Sequence, residues 1–262
     1  MTVVERASST TSLRSCPLGG AGNSSASRSA AEWRGWCVRT TDSRYAFPGA
    51  SRHSSRGYHR GVERTFGRMD AAVLSAPSVD VQARVLATLE SAFRADPVER
   101  WLYPTDQEYG QHFPVFLAAF GGLAFELGTA WQLDDCSAVA LWLPPKVEPD
   151  GEAITTVLLE TVDTAKHADT ISALEQMAAA HPSYPHWYLP WFGVHAPMQG
   201  RGLGSTLMTA CLATVDAAGL PAYLETPNPS TIPFYQRHGF EVTGGTRAGE
   251  CPPITFMLRR AH

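Results

Sequence analysis

A glycine-rich loop at residues 199–205 is the part of the sequence whose residue types and spacing most directly indicate chemistry. Its three glycines are spaced by two, and an apolar stripe at steps of four predicts a helix over 202–218 immediately after it. A helix N-terminus carries unpaired N–H groups and the positive end of the helix dipole, which favour an anion. Glycines also let the backbone approach phosphate oxygens without interference from Cβ atoms. The loop is therefore typical of a phosphate-binding site.

Two nucleotide-binding motifs compete for this loop, and the sequence disfavours both. A P-loop needs a lysine after its last glycine, and no lysine follows Lys166. The dinucleotide fingerprint, counted from Gly200, needs a third glycine where Ser205 stands, although Glu225 lies about 20 residues on, as the ribose-binding acid would. Only 37 residues follow Glu225, too few for repeated βαβ units. A dinucleotide-binding oxidoreductase stays as the less favoured alternative.

A second motif follows at residues 228–240, where Asn228 precedes Tyr235 by seven residues and Gly239-Phe240 end the segment. The loop pattern Gln199-x-x-Gly202-x-Gly204 and this segment, in that order, resemble the two hallmarks of the GNAT family of N-acetyltransferases. Among its members the arrangement most resembles puromycin N-acetyltransferase-like proteins, through residues 140–145, 221–226 and 233–235.

The resemblance implies an α/β (α+β) fold with a mixed, mostly antiparallel central sheet, helices on both faces and two splayed central strands. It also implies acetyl-CoA as cofactor, with the pyrophosphate on the loop and the pantetheine along the strand that ends at 194–196. Pro190 and Gly193 independently predict a bulge or an open edge in that strand. The residues expected to bind the cofactor are Val194, His195, Ala196, Gln199, Gly200, Arg201, Gly202, Leu203, Gly204, Ser205, Asn228 and Tyr235.

Tyr235 is the predicted general acid, because a phenol with an ordinary pKa of about 10 is protonated at neutral pH and can protonate a leaving thiolate. Glu225 is the predicted general base, since the attacking amine must lose a proton; a structural salt bridge is an equally good interpretation of it. His195 and His238 have side chains suited to proton transfer, but a lone histidine is more often a packing or surface residue.

Composition divides the chain in two. The whole chain has a formal net charge of −4; residues 1–68 hold eleven Arg, no Lys and four acids, so they carry +7 and the remainder carries −11. Without an apolar period, the Arg- and Ser-rich residues 1–68 are predicted to be a disordered N-terminal extension, and 69–262 an N-acetyltransferase domain. A composition of this kind also fits a transit segment or a nucleic-acid-binding arm, and translation that starts at Met69 would make these residues an upstream extension.

The cysteines and the apolar segments indicate the compartment. Five cysteines without a C-x-x-C pair predict neither a disulfide framework nor a metal site, and favour a cytoplasmic protein. The longest apolar run, residues 113–125, is too short to span a bilayer. We therefore expect no membrane or nucleic-acid partner, and a monomer or homodimer.

Periodicity predicts the remaining elements. Strands are expected at 71–74, 130–133, 137–143, 187–195, 222–226, 240–246 and 254–259. Helices are expected from Ser78 to about Asp96-Pro97, and at 106–127 with a kink near Pro114 or Gly121-Gly122, 152–163, 170–180, 202–218 and 230–238.

The sequence predicts transfer of an acetyl group from acetyl-CoA to a primary amine, by direct attack in a ternary complex. An acidic domain suits a cationic acceptor, which favours a small-molecule amine over a protein tail. A catalytically silent acyl-CoA sensor is the main alternative, and the presence of both Asn228 and Tyr235 disfavours it.

Overall fold

The computed structural model describes residues 71–261, and the predicted extension at 1–68 lies outside them. The strands are β1 (Ala71–Leu74), β2 (Ala130–Leu133), β3 (Ala138–Leu143), β4 (Trp187–Val194), β5 (Ala222–Thr226), β6 (Glu241–Gly245) and β7 (Thr255–Arg259). The helices are α1 (Val79–Phe93), α2 (Pro97–Leu102), α3 (Asp106–Gly121), α4 (Leu123–Glu126), α5 (Gly151–Thr161), α6 (His167–Ala180), α7 (Leu203–Ala217) and α8 (Ile232–Arg237).

The seven strands form one sheet in the order β1-β2-β3-β4-β5-β7-β6. Every neighbouring pair is antiparallel except β4 and β5, which are parallel. The predicted fold class, a mostly antiparallel mixed sheet, is confirmed. Within residues 71–261, no helix combines the length and apolar character needed to cross a membrane.

Helices cover both faces of the sheet, as β3 shows. All six of its residues are buried, but only Val139, Leu141 and Leu143 belong to the core that α1 and α3 share. Strand residues alternate between faces, so Ala140 and Trp142 point to the other side. That side is covered by α7, which contacts β2, β3 and β4. Burial on both faces explains why β3 is apolar throughout.

The predicted splay lies between β4 and β5. They pair only at Trp187↔Ala222 and Tyr188↔Tyr223, and separate from residue 189 onward. On the other edge of β4, the register against β3 slips between Leu141 and Leu143, which is a bulge next to Pro190. The bulge bends β4 where Pro190 has no N–H to donate, and so a gap opens in the middle of the sheet.

One predicted helix differs from the structure. The 106–127 segment is interrupted at Gly121, where α3 ends, whereas Pro114 lies inside α3 without interrupting it. A Cβ at Gly121 would collide with the Trp191 ring, so a glycine is required where α3 meets β4. The short α2 was not predicted, because six residues are too few to display a helical period.

Gly193 sets the distance between α1 and β4. A Cβ at this position would lie 2.8 Å from the Ala92 Cβ and 3.1 Å from the Leu89 Cδ2. Ala92 cannot rotate away, since its Cβ is fixed to the helix backbone. We predict that Gly193→Ala destabilises the domain by about 1–3 kcal/mol, as overpacking does, in a urea-unfolding measurement.

Gly110→Ala is the matched control, because a Cβ at Gly110 in α3 meets nothing within 4 Å. In the middle of a helix this change stabilises by roughly 0.5–1 kcal/mol. Equal stability of the Gly193→Ala protein and the native protein would contradict the close approach of α1 to β4.

Candidate active site

The α7 N-terminus is open to an anion. Its N-cap is Gly202, in the left-handed region at φ 83°, and no side chain caps the helix. The first intrahelical bond runs from Thr206 N–H to the Gly202 carbonyl at 3.1 Å. The preceding N–H groups of Leu203, Gly204 and Ser205 therefore have no helical acceptor, and they carry the positive end of the dipole.

The turn that leads into α7 is held by its own side chains. The Gln199 amide donates to the Val194 carbonyl at 3.1 Å, which ties the loop to the end of β4. The Arg201 guanidinium donates to the Pro197 carbonyl at 3.2 Å. Gln199 thus orients the turn, and Arg201 is engaged in it.

One cavity of about 620 Å³ runs from this loop through the gap between β4 and β5 into a chamber between the helices. Its walls include ten of the predicted site residues: Val194, Gln199, Gly200, Gly202, Leu203, Gly204, Ser205, Glu225, Asn228 and Tyr235. The volume is typical of small-molecule sites, which occupy about 300–1,000 Å³.

Three predicted cofactor residues, His195, Ala196 and Arg201, do not line the cavity. The His195 N–H donates to the Ser137 carbonyl at 2.9 Å, and the Ala196 N–H donates to the Ser91 hydroxyl at 3.1 Å. Their backbone donors are thus used to attach the end of β4 to its neighbours. His238, the other histidine considered for proton transfer, also lies outside the cavity wall.

Asn228 shapes the turn that presents Tyr235. Its side-chain oxygen accepts from the Ser230 N–H at 3.0 Å and from the Ser230 hydroxyl at 2.8 Å, so it caps the 3-10 turn before α8. The other end of α8 is anchored by Arg259, which donates to the His238 carbonyl at 3.0 Å and pairs with Asp216 on α7. Both contacts fix the position of Tyr235.

Tyr235 is protonated across the physiological range. Burial, and then the charge of Asp96, raise the pKa of its phenol. Asp96 lines the same cavity and caps α2 by accepting from Val98 N–H at 3.0 Å and Glu99 N–H at 3.4 Å. Burial raises the pKa of Asp96 to about 6 despite these hydrogen bonds.

Glu225 faces the cavity from β5, and a histidine pair stands behind it. Its carboxylate lies 3.8 Å from His181 Nδ1, and His181 Nε2 lies 2.9 Å from His186 Nε2. His186 Nδ1 lies 2.8 Å from the Tyr184 carbonyl, which only accepts, so Nδ1 carries the proton. Burial lowers the pKa of His186, so its Nε2 is unprotonated near neutral pH and accepts from His181. In neutral His181, the Nδ1 that faces Glu225 is then the proton acceptor.

Aromatic side chains form the wall of the chamber on the α1 and α3 side. The Trp191 ring lies edge-to-face with Phe93, Phe116 and Phe120, at centroid distances of 5.0, 5.8 and 5.7 Å. Its indole N–H donates to the Leu117 carbonyl at 3.2 Å, so the ring is fixed. These four rings all line the cavity and present a rigid apolar surface to a ligand.

Sequence reasoning missed two acidic residues of the site, Asp96 and Glu99. Both line the cavity and both are buried. A signal was present, since Asp-Pro followed by Glu is a helix start with an N-cap, a proline at the first position and an acid at the third.

Among the described residues, no group of three or more His, Cys, Asp or Glu is arranged to hold a metal ion.

A splayed sheet with an uncapped, glycine-lined helix N-terminus beside the gap is the arrangement that the resemblance in the sequence implies for an acyltransferase. Residues 97–240, more than half of the chain, match the model of the Acetyltransferase (GNAT) family. The chain belongs to this family, and it is thereby an acyltransferase of the N-acetyltransferase class.

Known proteins resemble the chain over most of its length. It is 26% identical over 205 residues to an uncharacterized N-acetyltransferase of Schizosaccharomyces pombe. The alignment covers 67% of this chain and 78% of the relative. A structure of histone acetyltransferase HPA2 and related acetyltransferase from Corynebacterium glutamicum superposes with a TM-score of 0.53 at 19% identity, over 74% of this chain and 97% of that one. Arylalkylamine N-acetyltransferase 2 from Aedes aegypti gives 0.50 at 12% identity, over 75% and 100%. The two structures share the fold.

Asp96 provides a pH-dependent test of the buried charge. With an ordinary pKa of 3.8 and a folded pKa of about 6, its carboxyl ionises first in the unfolded chain, so stability is lost as pH rises from about 4 to 6. Asp96→Asn keeps an oxygen for the α2 cap and removes the charge. We predict that it stabilises the protein by up to about 3 kcal/mol at pH 7–8 and by almost nothing at pH 4.

Urea unfolding between pH 4 and pH 8 measures this difference. Asp150→Asn is the matched control, because Asp150 is an exposed aspartate that caps α5 through the Ala153 N–H at 3.0 Å. A gain that is equal at both pH values, or equal in the two variants, would show that burial of Asp96 is not its cause.

Proposed function

We propose that the chain transfers an acetyl group from acetyl-CoA to the primary amine of a small molecule, by direct attack in a ternary complex. The observation that carries the proposal is one cavity lined by the α7 loop, by β4 and β5 at the gap, and by the aromatic and acidic side chains of a chamber between the helices. A thermal-shift screen of amines with acetyl-CoA finds candidate acceptors, because a ligand of the native state raises its stability. Release of the free CoA thiol with those amines then tests the reaction.

The loop residues fit a CoA pyrophosphate. The N–H groups of Leu203, Gly204 and Ser205 point from the helix N-terminus without intrahelical acceptors, and Gly200 and Gly202 line the cavity beside them. The freed edge of β4 from residue 189 to Val194 offers backbone groups to pantetheine amides, as an added strand would use them. When bound, acetyl-CoA supplies the acyl thioester and the thiolate leaving group.

Two side chains of the cavity divide the proton transfers. Tyr235 retains its proton because its pKa is raised, so it is available to the sulfur as the general acid. Glu225 is the proposed base for the attacking amine, and His181 Nδ1 behind it is positioned to share the proton it takes. The proposed acid and base belong to different elements, α8 and β5, and both line the cavity.

The chamber favours a small amine over a peptide. Its helical walls come from α1, α2, α3, α5 and α6, and its aromatic surface is buried at Phe116 and Trp191 and half-buried at Phe93 and Phe120. The resemblance to puromycin N-acetyltransferase-like members supports the same acceptor class. The silent acyl-CoA sensor and the dinucleotide-binding oxidoreductase are the competing hypotheses. We further propose that residues 69–262 carry the activity, in the cytoplasm, as a monomer or homodimer.

The cofactor loop is tested with a pair of glycines at the two ends of α7. Gly202 and Gly219 have φ of +83° and +64°, and a Cβ at either position meets open space. Alanine at either site costs roughly 1–2 kcal/mol of strain, so both variants lose similar stability. We predict that only Gly202→Ala weakens CoA binding, by about ten-fold or more, the equivalent of one charge-assisted hydrogen bond.

Isothermal titration of both folded variants with CoA measures the difference. Gly219 lies at the far end of α7, outside the cavity wall. Equal CoA affinity for the two variants would show that the loop is not the pyrophosphate site.

The general acid is tested with Tyr235→Phe, which keeps the ring and removes the hydroxyl. We predict a loss of about 10²- to 10⁴-fold in kcat, with CoA affinity unchanged, because general-acid catalysis contributes in this range. Steady-state kinetics with an acceptor from the screen measures it.

Tyr109→Phe is the control, since Tyr109 is a buried tyrosine whose hydroxyl donates to the Glu90 carbonyl at 2.7 Å outside the cavity. It should lose stability and keep its turnover. Normal kcat for Tyr235→Phe would mean that another group protonates the sulfur.

A further inference from the structure

Glu99 in the chamber wall has an oxygen without a partner. Its residue is 3% exposed, and its Oε2 is buried without a hydrogen-bond partner among the described residues. A glutamate at the third position of a helix ordinarily reaches back to the N-cap N–H, as Glu108 does to Thr105 at 2.9 Å. In α2 the N-cap N–H of Asp96 already donates to the Phe93 carbonyl at 2.9 Å. The Glu99 side chain therefore does not cap α2 through the N–H of Asp96.

Thr170 on α6 shows the same anomaly in the same chamber. A helical threonine can donate to the carbonyl four residues earlier, as the half-buried Thr155 and Thr161 of α5 do at 2.7 Å. The Thr170 hydroxyl is buried and makes no such bond. Thr170 and Glu99 both line the cavity, and unpartnered buried polar groups are rare in native structures.

The charges of the cavity favour a cationic ligand for these two groups. Three carboxyl residues line it, Asp96, Glu99 and Glu225, against one cationic side chain, Arg237. Glu99 follows Asp96 by three residues, about one helical turn or roughly 5 Å along α2. The charge of Asp96 bears on Tyr235, and Glu99 lies one helical turn from Asp96. The cavity wall also includes the apolar side chains of Leu102, Leu158 and Met177.

We propose that Glu99 and Thr170 form a subsite for a second nitrogen of the acceptor, an ammonium or other N–H donor separated from the reacting amine by an apolar spacer. The acceptor class is then a diamine with a hydrocarbon body. This inference rests on the proposed acetyl transfer for the identity of the reacting amine, but the subsite itself is a binding site. Its test is therefore a binding measurement.

The test compares 1,n-diaminoalkanes of three to eight carbons with the n-alkylamines of the same length, by isothermal titration into the CoA-saturated protein. At the best length, the diamine should bind about ten-fold or more tightly than the monoamine, as a hydrogen bond to a charged group does. Glu99→Gln should remove this preference and leave monoamine and CoA affinities unchanged. Thr170→Val should reduce the preference.

Glu99→Gln keeps the shape of the side chain and replaces a buried carboxyl group with an amide, so the variant is expected to fold; its melting curve verifies this. No diamine preference at any length, or a preference that survives in Glu99→Gln, would overturn the subsite. Thiol release with the same amines is a separate readout. Diamine binding through Glu99 without turnover would contradict acetyl transfer and support the subsite. Monoamine turnover without a diamine preference would support acetyl transfer and contradict the subsite.

Discussion

β4 and β5 separate after two residue pairs, and the functional features of the domain depend on the gap they leave. Both strands are central, so each lost pairing removes backbone hydrogen bonds that a buried sheet otherwise makes. Neighbouring elements hold the strands apart. The bulge beside Pro190 bends β4, and β7 pairs with all five residues of β5. The glycine-lined turn before α7 and the aromatic chamber then line one cavity.

Most of the fold could be predicted from the sequence, because its elements are long and regularly patterned. The boundaries of β1, β2 and β5 agree with the prediction, and those of α7 differ by one residue at each end. The prediction was weakest where local pattern is short or interrupted, at α2 and at the junction of α3 and α4. There the tertiary fit of Gly121 against Trp191 determines the helix end, and no local rule contains that contact.

The sequence predicted the part of the cavity wall that its motifs contain, the loop with Glu225, Asn228 and Tyr235. Gln199, Gly202 and Gly204 lie close together in sequence within one loop that lines the cavity, so one motif specifies them all. The chamber wall is assembled from five helices, and Asp96 and Thr170 both line it only because α2 and α6 border the same space. The spacing of residues along the chain does not predict this arrangement. For the same reason, the sequence did not predict that the N–H groups of His195 and Ala196 are bonded to Ser137 and Ser91.

The electrostatics of the cavity follow from burial more than from pairing. Asp96 has two backbone N–H donors, and burial still raises its pKa to about 6, so desolvation exceeds the hydrogen bonds. The phenols of Tyr188 and Tyr223, beside Glu225, have raised pKa values through burial first and the neighbouring carboxylate second. These phenols stay neutral, and His181 is the only basic side chain within ion-pair distance of Glu225 among the described residues. A cationic amine that enters this space therefore meets carboxyl groups with few cations of their own, and the attraction that draws it in also opposes its deprotonation. In the proposed reaction, a proton acceptor behind Glu225 would resolve this conflict, because the proton would then move away from the chamber instead of remaining beside the amine.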